Sequence, residues 1–171
     1  MNNEEKVLNR IFERPIYHFH IRELARETNL NPNTIINITK KLSKKDIIKI
    51  KKSKHLVEVY ANIEDQRFIN KKRVHNLERI YSSGIIESLV NFYNPKTIVL
   101  IGSYSRGEDT EKSDIDLVII SNNKSQIEPD NFEKIFKRSI HIMPVTYKEI
   151  SEEFYTNIIN GIVLYGYLSK K

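Results

Sequence analysis

The stretch TIVLIGSYSRGEDTEKSDIDLVII, Thr97 to Ile120, limits the fold more than any other part of this chain. An apolar run to Ile101 stops at Gly102-Ser103. An eleven-residue step leads from Ser103 to Asp114, where Asp114-Ile115-Asp116 opens a second apolar run. Residues two apart in a strand share a face. Asp114 and Asp116 are therefore predicted to point together, with Ile115 and Leu117 turned the other way into a core. Paired carboxylates repel each other unless a cation lies between them, and hard oxygen ligands suit Mg²⁺. A Gly-Ser turn offers backbone N–H groups and a hydroxyl to phosphate. Together these features predict a site for a metal-bound nucleoside triphosphate.

Gly102-Ser103-Tyr104-Ser105-Arg106-Gly107, followed by Ser113-Asp114-Ile115-Asp116, resembles the minimal nucleotidyltransferases of the DNA polymerase beta-like superfamily. Their motif reads Gly-Ser, a short helix with Arg-Gly, then Ser-Asp-x-Asp. The likeness runs from about Asn91 to Tyr167 and includes Asn160 to Gly166, similar to the family's final strand. The resemblance implies Asp114 and Asp116 as catalytic residues and metal ligands. It implies Gly102, Ser103, Arg106 and Ser113 as nucleotide-binding residues. The implied cofactors are Mg²⁺ or Mn²⁺ and an NTP, ATP first among them. The implied reaction moves a nucleoside monophosphate onto a protein hydroxyl. Because minimal nucleotidyltransferases serve as antitoxins to HEPN-domain proteins, the implied acceptor is a tyrosine on such a partner.

The family carries a third carboxylate on a later strand. The matching segment is Ser139 to Val145, and His141 stands where the Asp belongs. Ile140 and Ile142 alternate with it, so His141 is expected on the active-site face. Two readings stand side by side. Imidazole is a poorer Mg²⁺ ligand than carboxylate, which gives a weakened or inactive enzyme. It is also a competent general base, which makes His141 a third catalytic residue. Glu133 and Glu149 flank the strand, and nothing in the sequence places either in the site.

With 171 residues the chain has room for one large domain or two small ones. The absence of cysteine excludes disulfides, thiolate metal sites and cysteine nucleophiles. No apolar run is long enough to span a bilayer, and a polar Met1–Lys6 leads into no signal-like segment, so the expected location is the cytoplasm. Residues 1–61 hold 13 Lys+Arg against 7 Asp+Glu, whereas residues 62–171 hold 15 of each. The whole excess of +6 thus lies in the first third. Such asymmetry points to a nucleic-acid-facing module joined to an electrically balanced one.

That first third spaces Val7, Leu8, Ile11 and Phe12 as a helix ending at Pro15. Tyr17 to His20 reads as a short strand and Ile21 to Glu27 as a second helix. Asn31-Pro32 starts a third helix that runs to about Lys44, with Ile35, Ile38 and Leu42 inward. Two strands, Ile47 to Lys52 and Leu56 to Ala61, meet near Ser53-Lys54-His55. The pattern resembles the winged helix-turn-helix of bacterial and archaeal regulators, with Arg22 to Arg26 matching their Arg-Glu-Leu-Ala-Arg. In that fold the third helix enters the major groove of double-stranded DNA. Its outward residues are expected to be Asn33, Thr34, Asn37, Lys40, Lys41 and Lys44, with Lys52 and Lys54 on the wing. Asn37 suits adenine and Thr34 a base edge or a phosphate, while the lysines suit phosphates. His18 and His20 lack the further ligands a metal site needs and are assigned to packing; His55 and His75 carry no special signal.

The chain is therefore predicted to be α+β. Residues 1–63 form a winged helix-turn-helix and 64–93 a helical connector, broken at Ser82-Ser83-Gly84. Residues 94–171 form a nucleotidyltransferase-like domain with a small mixed sheet and helices packed on one face. The apolar stripe of the connector is read most simply as an interdomain packing face; the second reading is a homodimer interface, since paired DNA readers use two-fold symmetry. The predicted function is DNA binding combined with nucleotidyl transfer. The alternative is a transcriptional regulator whose second domain is a nucleotide sensor or assembly module.

Overall fold

The computed structural model describes residues 1–54 and 56–169, so the wing position read at His55 lies outside the described residues. The chain divides into two compact units, Met1–Lys72 and Arg73–Lys171. Each is built around apolar side chains of its own.

In the first unit, α1 (Asn3–Glu13) starts on a reciprocal cap. Asn2 Oδ1 accepts the Glu5 amide at 2.9 Å, and a Glu5 carboxylate oxygen accepts the Asn2 amide at 2.7 Å. Such caps satisfy N–H groups that the helix itself cannot. Strand β1 is only Phe19–His20, shorter than the sequence suggested. Helix α2 (Ile21–Thr28) closes on Asn29 in the left-handed region, which Asn tolerates. Helix α3 (Pro32–Lys44) opens with Asn31 Oδ1 accepting the Asn33 amide at 2.9 Å. Strands β2 (Ile48–Lys52) and β3 (Val57–Ala61) complete an antiparallel sheet in the order β1-β3-β2. Val7, Ile11, Phe12, Leu24, Ile35, Leu42, Val59 and Phe68 fill the core. Phe68 comes from α4 (Gln66–Ser82).

In the second unit, α5 (Ile85–Tyr93) precedes β4 (Thr97–Ile101). The short helix α6 (Gly102–Arg106) and a loop lead to β5 (Ile115–Ile120). Next come α7 (Asp130–Phe136), β6 (Ile140–Val145), α8 (Glu152–Ile159) and β7 (Ile162–Gly166). The sheet order is β6-β5-β4-β7, with β5 and β6 parallel and the other pairs antiparallel. This is an α+β architecture with a mixed four-stranded sheet.

Two expectations are corrected here. Helices do not lie on one face of the sheet. Ile98, Leu100, Ile115, Leu117 and Ile119 pack with Ile80, Ile85, Leu89, Tyr104 and Phe136. The opposite face buries Val99, Ile101, Val118 and Ile120 with Ile150 and Ile158. All five residues of β4 are buried, as a strand covered on both faces requires. The sequence also predicts one helix over Tyr147 to Ile159, and the structure has two pieces there. A 3₁₀ turn spans Tyr147–Glu149, Ile150 is extended, and the Ser151 hydroxyl then caps α8 by accepting the Phe154 amide at 3.1 Å.

Candidate functional site

The site is set by strand register. Asp116 lies beside Ile101 on β4 and beside His141 on β6. Because paired positions share a face, Asp116 and His141 stand together on the face that α8 covers further along. They occupy its near end, where it stays open. His141 Nδ1 is 3.2 Å from Asp116 Oδ1, and His141 Nε2 is 3.9 Å from Asp114 Oδ2. The side chains of Asp114, Asp116 and His141 are 44%, 30% and 57% exposed. All three are open to solvent and to a ligand.

Gly102 makes the close approach feasible. Its φ is +73°, and a Cβ there would come within 2.6 Å of Asp116 Oδ2. Only glycine adopts this backbone readily while leaving that space free. Ser103 follows, half-buried. The bend, the two acids and the imidazole are thus brought together.

Two other expected residues are not joined to them in the same way. Arg106 is exposed, and its Nε donates to Glu108 at 2.7 Å. Ser113 works within its loop: its hydroxyl accepts the Thr110 amide at 2.9 Å, and its own amide donates to the Thr110 carbonyl at 3.1 Å. The flanking acids have other partners. Glu133 accepts the Ile140 amide at 2.8 Å. Lys124 pairs with Glu149 and holds its carboxyl down to about 2.

Sequence reasoning missed Arg138, Asp109 and Asn76, which lie behind the site. The spacing of Phe132, Ile135 and Phe136 predicts a short helix over Asn131 to Arg138. Instead α7 ends at Phe136, and Lys137 takes a left-handed conformation, φ 55°. Arg138 is then turned inward, its side chain only 5% exposed. A lone Arg at a helix end gives no signal of this, since it reads as a complement to the helix dipole.

In the first unit, Asn33, Asn37, Lys40, Lys41 and Lys44 are exposed on α3, and Thr34 is half-buried. Lys52 at the end of β2 and Lys54 beyond it are exposed. Lys41 is engaged: its Nζ donates to Glu4 at 2.7 Å and holds that carboxyl below its ordinary range. The His18 ring stacks on Tyr60 with centroids 4.3 Å apart.

The second unit is thus an α+β domain with a four-stranded mixed sheet, an acid pair open at one end and a glycine bend pressed against Asp116. Residues 82–165 match the family described as Nucleotidyltransferase domain, so the chain carries a nucleotidyltransferase domain of the polymerase beta-like kind. No curated protein matches the chain. Among the described residues no helix is long and apolar enough to cross a membrane.

Proposed function

We propose that the chain transfers a nucleoside monophosphate from an NTP, ATP first, onto a protein hydroxyl, and that its first unit is a winged helix-turn-helix that binds double-stranded DNA. Asp116 against the Gly102 bend, with Asp114 and Asp116 both close to His141, is the observation that supports the first half of this reading. Mg²⁺ is commonly held by one or two carboxylates, with water and substrate phosphates completing its shell. Among the described residues no group of three or more His, Cys, Asp and Glu could hold a metal by itself. A two-carboxylate grip by Asp114 and Asp116 suits Mg²⁺ or Mn²⁺ on those grounds. Bound there, the ion offsets the negative charge of the triphosphate.

Ser103 and the amides around Gly102 receive the triphosphate tail. Asp116 accepts a hydrogen bond from His141 Nδ1–H, which leaves the Nε2 lone pair to take a proton. As the acceptor oxygen bonds to the α-phosphorus, its proton passes to Nε2. The bond from the α-phosphorus to the bridging oxygen breaks, and pyrophosphate departs with that electron pair. The acceptor proposed is a tyrosine of a HEPN-type partner.

One contact favours the second reading. His141 engages Asp116 Oδ1, part of a carboxylate that would hold the metal. On that reading the domain is a nucleotide sensor or assembly module of a DNA-binding regulator. The deciding experiment incubates the chain and a HEPN-type partner with labelled ATP, GTP, CTP or UTP and Mg²⁺ or Mn²⁺, comparing wild type with His141→Asp. Labelling lost in the variant makes the imidazole the base; labelling gained makes the native site a weakened one. A wild type and variant that both fail to label would remove the transferase reading.

A further inference from the structure

Behind the acid pair lies a buried ionic cluster with no part in the chemistry above. Arg138 and Asp109 meet at 3.0 Å, with side chains 5% and 0% exposed. The same guanidinium donates to the Ser113 carbonyl at 2.9 Å and to the Thr110 carbonyl. Its carbon lies 5.7 Å from the centre of the Tyr104 ring. On the far side of Asp109, the Asn76 amide donates to Asp109 Oδ1 at 2.7 Å and to the Tyr104 carbonyl at 2.9 Å. One fork therefore grips both ends of the loop from Asp109 to Ser113. The Asn76 amide ties that loop to α6, which starts at Gly102. Directly after the loop comes Asp114, and the Ile115 amide donates to the Ser139 carbonyl, next to Arg138, at 3.0 Å.

Burying a charge pair is a poor way to gain stability, since apolar replacements of similar size often do as well. What a planar guanidinium supplies is fixed geometry: several donors in one rigid plane. We propose that Arg138 is a positioning residue for metal–nucleotide binding, clamping the Asp109–Ser113 loop so that Asp114 is held in register with Asp116 and the Gly102 bend. The proposal rests on the reading of Asp114 and Asp116 as the metal-holding pair.

The test compares wild type, Arg138→Lys and the double variant Asp109→Asn with Arg138→Met. Removing Arg138 alone strands a buried carboxylate and threatens the fold; the double variant removes both charges and leaves Asn76 an acceptor. Three readouts are taken on full-length chain: thermal midpoint, amide hydrogen exchange over 109–114 with the NMR signals of the His141 ring, and Mn²⁺–ATP binding followed by the Mn²⁺ paramagnetic resonance signal. The expected result is a double variant that melts within a few degrees of wild type. Its 109–114 amides exchange at least tenfold faster, its His141 signals shift, and its Mn²⁺–ATP affinity falls at least tenfold. Arg138→Lys, with a point charge in place of a fork, gives the same direction of change. A double variant with native exchange, native His141 signals and native affinity overturns the proposal. If wild type itself does not bind Mn²⁺–ATP, the metal-site reading fails instead. The exchange and His141 signals then decide only whether Arg138 clamps the loop, and its role in metal–nucleotide binding falls with the reading it rests on.

Discussion

Tyr104 shows how one side chain can serve packing while leaving a cost behind. It is buried at the start of α6, its ring edge-on to Phe136 with centroids 6.4 Å apart, and its hydroxyl has no hydrogen-bond partner among the described residues. A buried polar group left unpaired costs about 1–3 kcal/mol. Tyr104→Phe is therefore expected to stabilise the protein by about 1 kcal/mol in urea unfolding. Burial also pushes this phenol up to about 12 from an ordinary value of 10. A folded value above the unfolded one means that the unfolded chain loses its proton first as pH rises. Stability should hold below pH 10 and fall between 10 and 12, by about 1.4 kcal/mol per pH unit for one such group. That part of the alkaline loss should vanish in Tyr104→Phe. Gly102 presents the opposite case, where a side chain would be intolerable. Gly102→Ala forces φ +73° on a residue with a Cβ and drives that atom against Asp116 Oδ2. The left-handed backbone alone costs about 1–2 kcal/mol. Transfer activity is expected to drop at least a hundredfold in a labelling assay, well beyond what that loss of stability explains.

Among the elements, α3 has the clearest division of labour. Ile35, Thr39 and Leu42 are buried along one side, and the lysines line the other. If that outer side meets DNA phosphates, each lysine removed should lower the salt slope of binding by about one. Lys40→Ala with Lys44→Ala should flatten the slope by about two in gel retardation. Lys41→Ala should change it less, because that ammonium is already pinned to Glu4. A slope unchanged by all three would end the phosphate-contact reading. Much of this helix was legible: Asn31-Pro32 fixed its start, and the apolar spacing fixed its buried side. Less legible were α7 and the segment after β6. Lys137 in the left-handed region ends α7 early, and the Ser151 cap divides what reads as one amphipathic helix. Neither residue type demands that behaviour; their tertiary surroundings select it. Helix α5 buries Leu89 together with Ile85, Ile86 and Tyr93. Leu89→Ala should cost about 2–5 kcal/mol in urea unfolding, the usual range for emptying a packed site.

At the scale of the whole molecule, the charge excess and the acid pair belong to different compact units, so their functions should separate. Asp114→Asn with Asp116→Asn is expected to abolish nucleotide transfer and leave DNA retardation unchanged. The paired α3 lysine variants should do the reverse. If the acid-pair double variant keeps full transfer activity, the catalytic scheme is wrong. The sequence alone determined the two apolar strands flanking Gly102, the basic bias of the first third and most helix starts. These rest on local rules: period-two alternation, glycine's backbone freedom and cap chemistry. Only the tertiary structure decided that both sheet faces are covered, that His141 bonds Asp116 across β5 and β6, and that Arg138 is buried against Asp109. Strand order, and the partner that a buried charge finds, depend on residues far apart in the chain. No periodicity encodes such pairings, because they exist only once the chain has closed on itself.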